Sequence, residues 1–410
     1  MRPISDWLAV SYAFFSLNSK TTNLEQTTNT FTKKLPTDQN DHPLNNFSKF
    51  LTVLNHNAIK KSLLVGGVVA AGLASQGFSQ ATQLDQVIES QKLRVVSVAG
   101  DTTFFKSGNF QHGFGFEMSR EFARDLRVEL VFQQVASTAA ALDAVKQGKA
   151  DIALTTASSD QLQAKALASV DLSCGNSKTL TSQGLNPAVN WSFRNAADPL
   201  LGSGHGFVCD QRQLGSTKQL ASFYNRRLMN DQFEKVAFNK ALNTRLPILK
   251  ASFQMNAKQQ NLDWQLLAAV SYQESHLVPT AISPTGVTGL MMLTQSTAKE
   301  MGISNRNDPA QSIKGGAKYL QLMLKQYASI SNPDRLWFSL AAYNMGGGNV
   351  DRVRKALKRS GKNPDSWADV YQYLTTHSAS NPQYGQCVHY VTRIRGYLEA
   401  MKQDRNLAQV

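Results

Sequence analysis

The chain has only three cysteines in 410 residues, Cys174, Cys209 and Cys387, and only seven histidines. Neither type gathers at the short spacings that metal ligands need, so no metal site and no resident cofactor is expected. A membrane span needs about 20 apolar residues, and the apolar stretch 63–74 is too short to supply one. Acidic residues are scarce, 29 Asp and Glu against 43 Lys and Arg, for a formal charge of +14. Such an imbalance points to a polyanionic partner: nucleic acid, anionic membrane or anionic cell wall. No aromatic RNA-binding signature, zinc spacing or dense basic run is present, so no nucleic acid partner is expected. One local scarcity matters more. No Asp or Glu lies between Glu274 and Glu300, so Glu274 has no neighbouring carboxylate in sequence to act with it.

With 42% apolar residues the chain is globular in composition, and it is long enough for two domains. Residues 1–57 are polar, rich in Asn and Thr and without periodicity, which reads as a disordered or mis-started leader. Lys60-Lys61, the apolar stretch and the small residues up to Ala81 together have the parts of a secretory signal, 58–81, cleaved after Ala74 or Ala81. A buried helix is the alternative reading. No cysteine stands directly after the apolar stretch, so a lipid-anchored form is not expected. Export would permit disulfides. Cys174 and Cys209 fall in one domain and could pair, leaving Cys387 as a buried or free thiol.

From 91 to 224 the pattern alternates. Residues 93–98 and 128–135 read as strands and 116–126 as a helix; an Ala-rich helix, 137–147, ends at Gly148; residues 151–154 form a third strand. Strand, helix, strand, helix, strand is a parallel α/β layer. Residues 225–261 carry mixed charge with Phe233, Val236, Phe238 and Leu242 at helical spacing, a helical connector. Beyond it the chain is helical, with Asp308-Pro309 as a cap and first-turn proline and Gly346-Gly347-Gly348 as a break.

Within this region 264–276 reads as a helix capped by Asp263, with Leu267, Val270 and Glu274 on one face. A carboxyl on an apolar face loses its water, its pKa rises, and it becomes a general acid at neutral pH. Pro279 stops this helix, and a turn at Ser283-Pro284-Thr285-Gly286 follows. Ser275 is expected to be a structural helix-end residue, and His276 points about 100° away from Glu274. The bland alternative is a paired or solvated glutamate.

Five ordered pieces carry a resemblance: Glu274-Ser275, Ser283-Pro284-Thr285-Gly286, Gly289-Leu290-Met291, Ala342-Tyr343-Asn344, and Tyr390-Val391 with Ile394. From 262 to 401 the chain resembles the lysozyme-like catalytic domain of soluble-lytic-transglycosylase type. With GLMMLT and NPDSWADV it is similar to the F-type membrane-bound lytic murein transglycosylases. Met292 stands where many relatives of the wider superfamily have Gln. The stretch 93–156 resembles the first lobe of a periplasmic solute-binding domain, which F-type enzymes carry before the catalytic one. The arginine that amino-acid binders place after the third strand is missing from 155–160, and the second lobe is cut down, so a scaffold is expected there rather than an amino-acid binder.

The fold expected is thus a reduced α/β solute-binding-like domain followed by a mainly-α lysozyme-like domain. The resemblance implies cleavage of peptidoglycan glycan strands between N-acetylmuramic acid and N-acetylglucosamine with 1,6-anhydro ends. Glu274 would be general acid and then base, and Ser283, Met291, Tyr343, Asn344 and Tyr390 would bind substrate. It implies the periplasm, peripheral to the outer membrane. A hydrolysing muramidase and a cell-wall-binding or sensing protein with an idle catalytic domain remain as alternatives.

Overall fold

The computed structural model describes residues 81–107, 110–404 and 407. The expected leader 1–57 and all but the last residue of the expected signal 58–81 lie outside them.

Among the described residues are seven strands: β1 Lys92–Ser97, β2 Phe105–Ser107, β3 Phe110–His112, β4 Glu129–Gln134, β5 Ile152–Thr155, β6 Ala168–Asp171 and β7 Asn190–Phe193. Five form a sheet of order β4-β1-β5-β7-β6, and β2 and β3 pair as a short antiparallel ribbon. The β1, β4 and β5 strands run parallel, in register Leu93 to Leu130 and Val95 to Ile152. This is the layer that the alternating pattern predicts. The crossover helix Thr138–Lys146 is capped by Ser137, whose hydroxyl accepts from Ala140 N at 3.1 Å. Strand β7 enters between β5 and β6, antiparallel to both.

The stretch 172–224, rich in Gly, Ser and Asn and expected as a cut-down second lobe, supplies β7 and the helices Pro199–Gln213 and Ser216–Phe223. Gly204 shows why the glycines do not break the first of these. A side chain there would meet the ring of Phe193, so the missing Cβ lets the helix close onto the sheet. Trp191 of β7 stacks on Phe122 at 5.1 Å and donates from Nε1 to Ser119 Oγ at 3.0 Å. Cys174 and Cys209 are disulfide-bonded, tying the turn after β6 to this helix. Cys387 is a buried free thiol whose pKa burial pushes up to about 12.

The remainder is helical. Gln232–Thr244 and Leu246–Gln259 form the connector, followed by Trp264–Ser275, Gln295–Glu300, Pro309–Gln326, Asp334–Met345, Gly347–Arg359, Trp367–Thr376 and Pro382–Gln403. Only Gly346, at φ +84°, interrupts the run where three glycines predict a break; the next helix begins at Gly347.

The described residues pack as one compact unit with a continuous apolar core running from the sheet into the helices. Charged groups are buried where the two halves meet. Glu399, fully buried, accepts from Arg395 at 2.5 Å and Arg226 at 2.6 Å, with His112 Nδ1 at 3.5 Å. Arg120 bridges Glu117 at 2.6 Å and Asp334 at 2.7 Å. Phe223 fits among Trp337, Trp367 and Tyr371, ring centres 5.4 to 5.8 Å away.

Candidate active site

The helix Trp264–Ser275 begins as its sequence predicts, with the Asp263 carboxylate accepting from Gln265 N at 2.9 Å. Its interior is buried on every side from Gln265 to Tyr272 rather than on one stripe, the mark of a central helix. It ends where His276 and Leu277 take left-handed φ angles of 52° and 59°. Arg245 Nε donates to the His276 carbonyl at 2.9 Å, and the imidazole of His276 stacks on Tyr272. His276 is thereby committed to the helix end.

Glu274 lies in the last turn, half-buried, and its Oε1 accepts from the Tyr390 hydroxyl at 2.6 Å. Loss of water raises its pKa from 4.5 to about 7, and the Tyr390 hydrogen bond pulls the other way. Among the described residues no second carboxylate contributes to this shift. Burial and the nearby Glu274 charge push the Tyr390 phenol well above its usual range, so it stays a donor at neutral pH. The Tyr343 ring lies 6.5 Å from that of Tyr390 and nearly parallel to it.

The loop facing the helix end is a small hairpin. Gly289 N donates to Ala281 O at 3.1 Å and Ser283 N to Val287 O at 2.8 Å. Gly289 has φ +90°, and a side chain there would run into the Arg306 carbonyl. Both facts require glycine. Four hydroxyls then fix Leu290 and Met291. Ser271 and Ser275 both donate to Leu290 O, at 3.1 and 2.9 Å. Met291 N donates to Ser312 Oγ at 3.1 Å, and Tyr343 donates to Met291 O at 3.0 Å.

The expected site residues therefore differ in what they present. Tyr390 contacts Glu274 directly. The Tyr343 hydroxyl is spent on the loop and its ring backs Tyr390. Met291 is fully buried, its side chain packed over Gly316, so it has no side-chain surface to offer a groove; its backbone is the part the loop uses. Ser283, half-buried, accepts from Val287 N at 3.0 Å and pairs with the Thr285 hydroxyl. Asn344 is exposed at the end of Asp334–Met345. The sequence reading overlooked Ser271 and Ser312. The signal for Ser271 was its place four residues before Ser275, two hydroxyls on one buried face.

A cleft of about 540 Å³ lies elsewhere, at the carboxyl ends of β1 and β5, lined by Asp101, Asn186 and five threonines including Thr155 and Thr156. Glu274 does not line it.

Residues 251–366 match the model of the transglycosylase SLT domain. A membrane-bound lytic murein transglycosylase F of Stutzerimonas stutzeri is 43% identical over 215 residues, 50% of this chain and 44% of that protein. One of Pseudomonas fluorescens is 49% identical over 174 residues, 40% of this chain and 36% of that protein. The chain thus spans under half the length of these curated relatives. The solved lytic transglycosylase Slt of Pseudomonas aeruginosa aligns at 23% identity with a TM-score of 0.32, over 51% of this chain and 34% of that one. Residues 251–366 are thus similar to the transglycosylase SLT domain, and over about half its length the chain is similar to the membrane-bound lytic murein transglycosylases F.

Proposed function

We propose that the chain is a peptidoglycan lytic transglycosylase that uses Glu274 as its single acid–base group. One observation carries the reading: a carboxyl whose pKa is about 7, held by a phenol donor and perturbed by no second carboxylate. At neutral pH both its forms are populated, which suits a group that must first give a proton and then take one. In this reading Glu274 protonates the glycosidic oxygen between N-acetylmuramic acid and N-acetylglucosamine. The substrate's own N-acetyl group stabilises the developing oxocarbenium ion. Glu274, now ionised, takes the proton of the muramyl 6-hydroxyl, which attacks the anomeric carbon and closes a 1,6-anhydro ring. No water is consumed. Asn344 and the Ser283–Thr285 turn are the exposed polar groups offered to the sugars. The two tyrosines hold Glu274 and the loop in register.

The location proposed is the cell envelope, periplasmic and peripheral to the outer membrane. Among the described residues no helix is long and apolar enough to cross a membrane. The test is mass spectrometry of fragments released from purified sacculi by the chain and by Glu274→Gln. Products lighter by one water than hydrolytic fragments, absent with the variant, support the reading. Reducing-end products would sink it in favour of a muramidase, and sacculus binding without products would favour an idle binding domain.

A further inference from the structure

The helix Gly347–Arg359 begins three residues beyond Asn344, so it starts beside one of the exposed polar groups offered to the sugars. Its inner face is apolar: Val350, Val353 and Leu357 are buried. One cation, Arg354, turns inward, pairing with Asp351 and Asp365 and lying over the Tyr327 and Phe338 rings. The outer face is different. Arg352, Lys355 and Arg359 follow one another at three- and four-residue steps, and Lys358 and Lys362 flank them. All five are exposed, and none is ion-paired among the described residues. The two acids in reach, Asp351 and Asp365, are the ones Arg354 engages. A stripe of uncompensated cations of this kind concentrates an anionic partner.

Resting on the function proposed above, we infer that this stripe is a subsite for the carboxylates of the peptide side chains on a peptidoglycan strand. Charge complementarity and continuity with the groove favour that occupant, and so does length. Thirteen helical residues span about 20 Å. An extended peptide of about four or five residues spans about 14–18 Å. The cations begin at Arg352, so a peptide leaving the glycan near Asn344 meets them over the second half of the helix. The consequence is a preference for peptide-bearing over stripped strands.

The test uses the full chain carrying Glu274→Gln, so that binding is read without cleavage. Its affinity for glycan strands with peptides is compared with that for strands stripped by an amidase. The expected result is a preference of about three- to tenfold, the scale of a few exposed charge contacts, weakening as salt is raised. The triple variant Arg352→Gln, Lys355→Gln, Arg359→Gln should lose the preference and bind stripped strands as before. Equal affinity for both strands, or equal losses on both, overturns the inference. So does a triple variant that keeps its preference but no longer binds phosphatidylglycerol vesicles, which would give the stripe to a lipid surface. Failure of the proposed chemistry shows separately, as absence of product from the unsubstituted chain.

Discussion

Tyr390→Phe removes one hydroxyl and leaves the ring that stacks beside Tyr343. That hydroxyl donates to Glu274 Oε1 at 2.6 Å and, among the described residues, is the group that opposes the effect of burial on this carboxyl. A hydrogen bond to a charged group is worth about 1.5–3 kcal/mol, and one pKa unit corresponds to about 1.4 kcal/mol. The bond favours the carboxylate, so its loss should raise the Glu274 pKa by about one to two units above its present value of about 7. Two assays read this. In a pH titration of chain labelled with ¹³C-glutamate, the carbonyl signal that disappears in Glu274→Gln should titrate near 7 in the parent and about one to two units higher in Tyr390→Phe. In strand cleavage, the alkaline limb that reports loss of the acid form should move the same way. An unmoved midpoint, or one moved downward, would refute the account of Tyr390 as the group that holds the carboxylate form within reach.

Glu274→Gln should also stabilise the fold, in a pH-dependent way. The folded pKa lies above the unfolded one, so the native glutamate loses stability as pH rises from about 4.5 to about 7 and stays at that lower level beyond. Urea denaturation should show the variant level with the parent at pH 4 and more stable by about 1–3 kcal/mol at pH 8. Ser271→Ala and Ser275→Ala should each cost about 1 kcal/mol because the other serine still serves Leu290 O, while the double variant should cost more than the sum; simple additivity in the same assay would show that the two do not share that carbonyl. Cys174→Ser opens a loop with a sequence separation of 35 and should cost about 3–4 kcal/mol, read against the parent under non-reducing conditions. Glu399→Gln strands Arg226 and Arg395 and should cost about 3–5 kcal/mol in the same measurement.

The legible parts of the chain were those whose rule is local. Ser137, Asp263 and Asp308 cap the helices their spacing announces, and the three parallel strands follow from alternation alone. No element is predicted over Pro199–Gln213, where Gly202, Gly204 and Gly206 weaken any helical pattern, and contact with Phe193 explains the middle one. Strands β2 and β3 are three residues each, too short for any period to show. At the site, Glu274 could be singled out by its place beside buried neighbours. That Met291 faces inward could not, because it depends on Gly316 in a helix whose sequence says nothing of its partner.

The helix Pro382–Gln403 belongs to both halves of the molecule. Tyr390, near its start, holds Glu274, while Arg395 and Glu399, further on, are buried against Arg226 and His112. A fragment begun at Leu262 would keep every residue of the candidate site and still be an incomplete solute. Phe223 would be gone from among Trp337, Trp367 and Tyr371, leaving an aromatic hollow open to water. Asp334 would lose Arg120, and Glu399 would keep one guanidinium of two. The sheet half is thus a wall of the helical half's own interior, and the place where the sequence changes character is not a place where the chain can be cut.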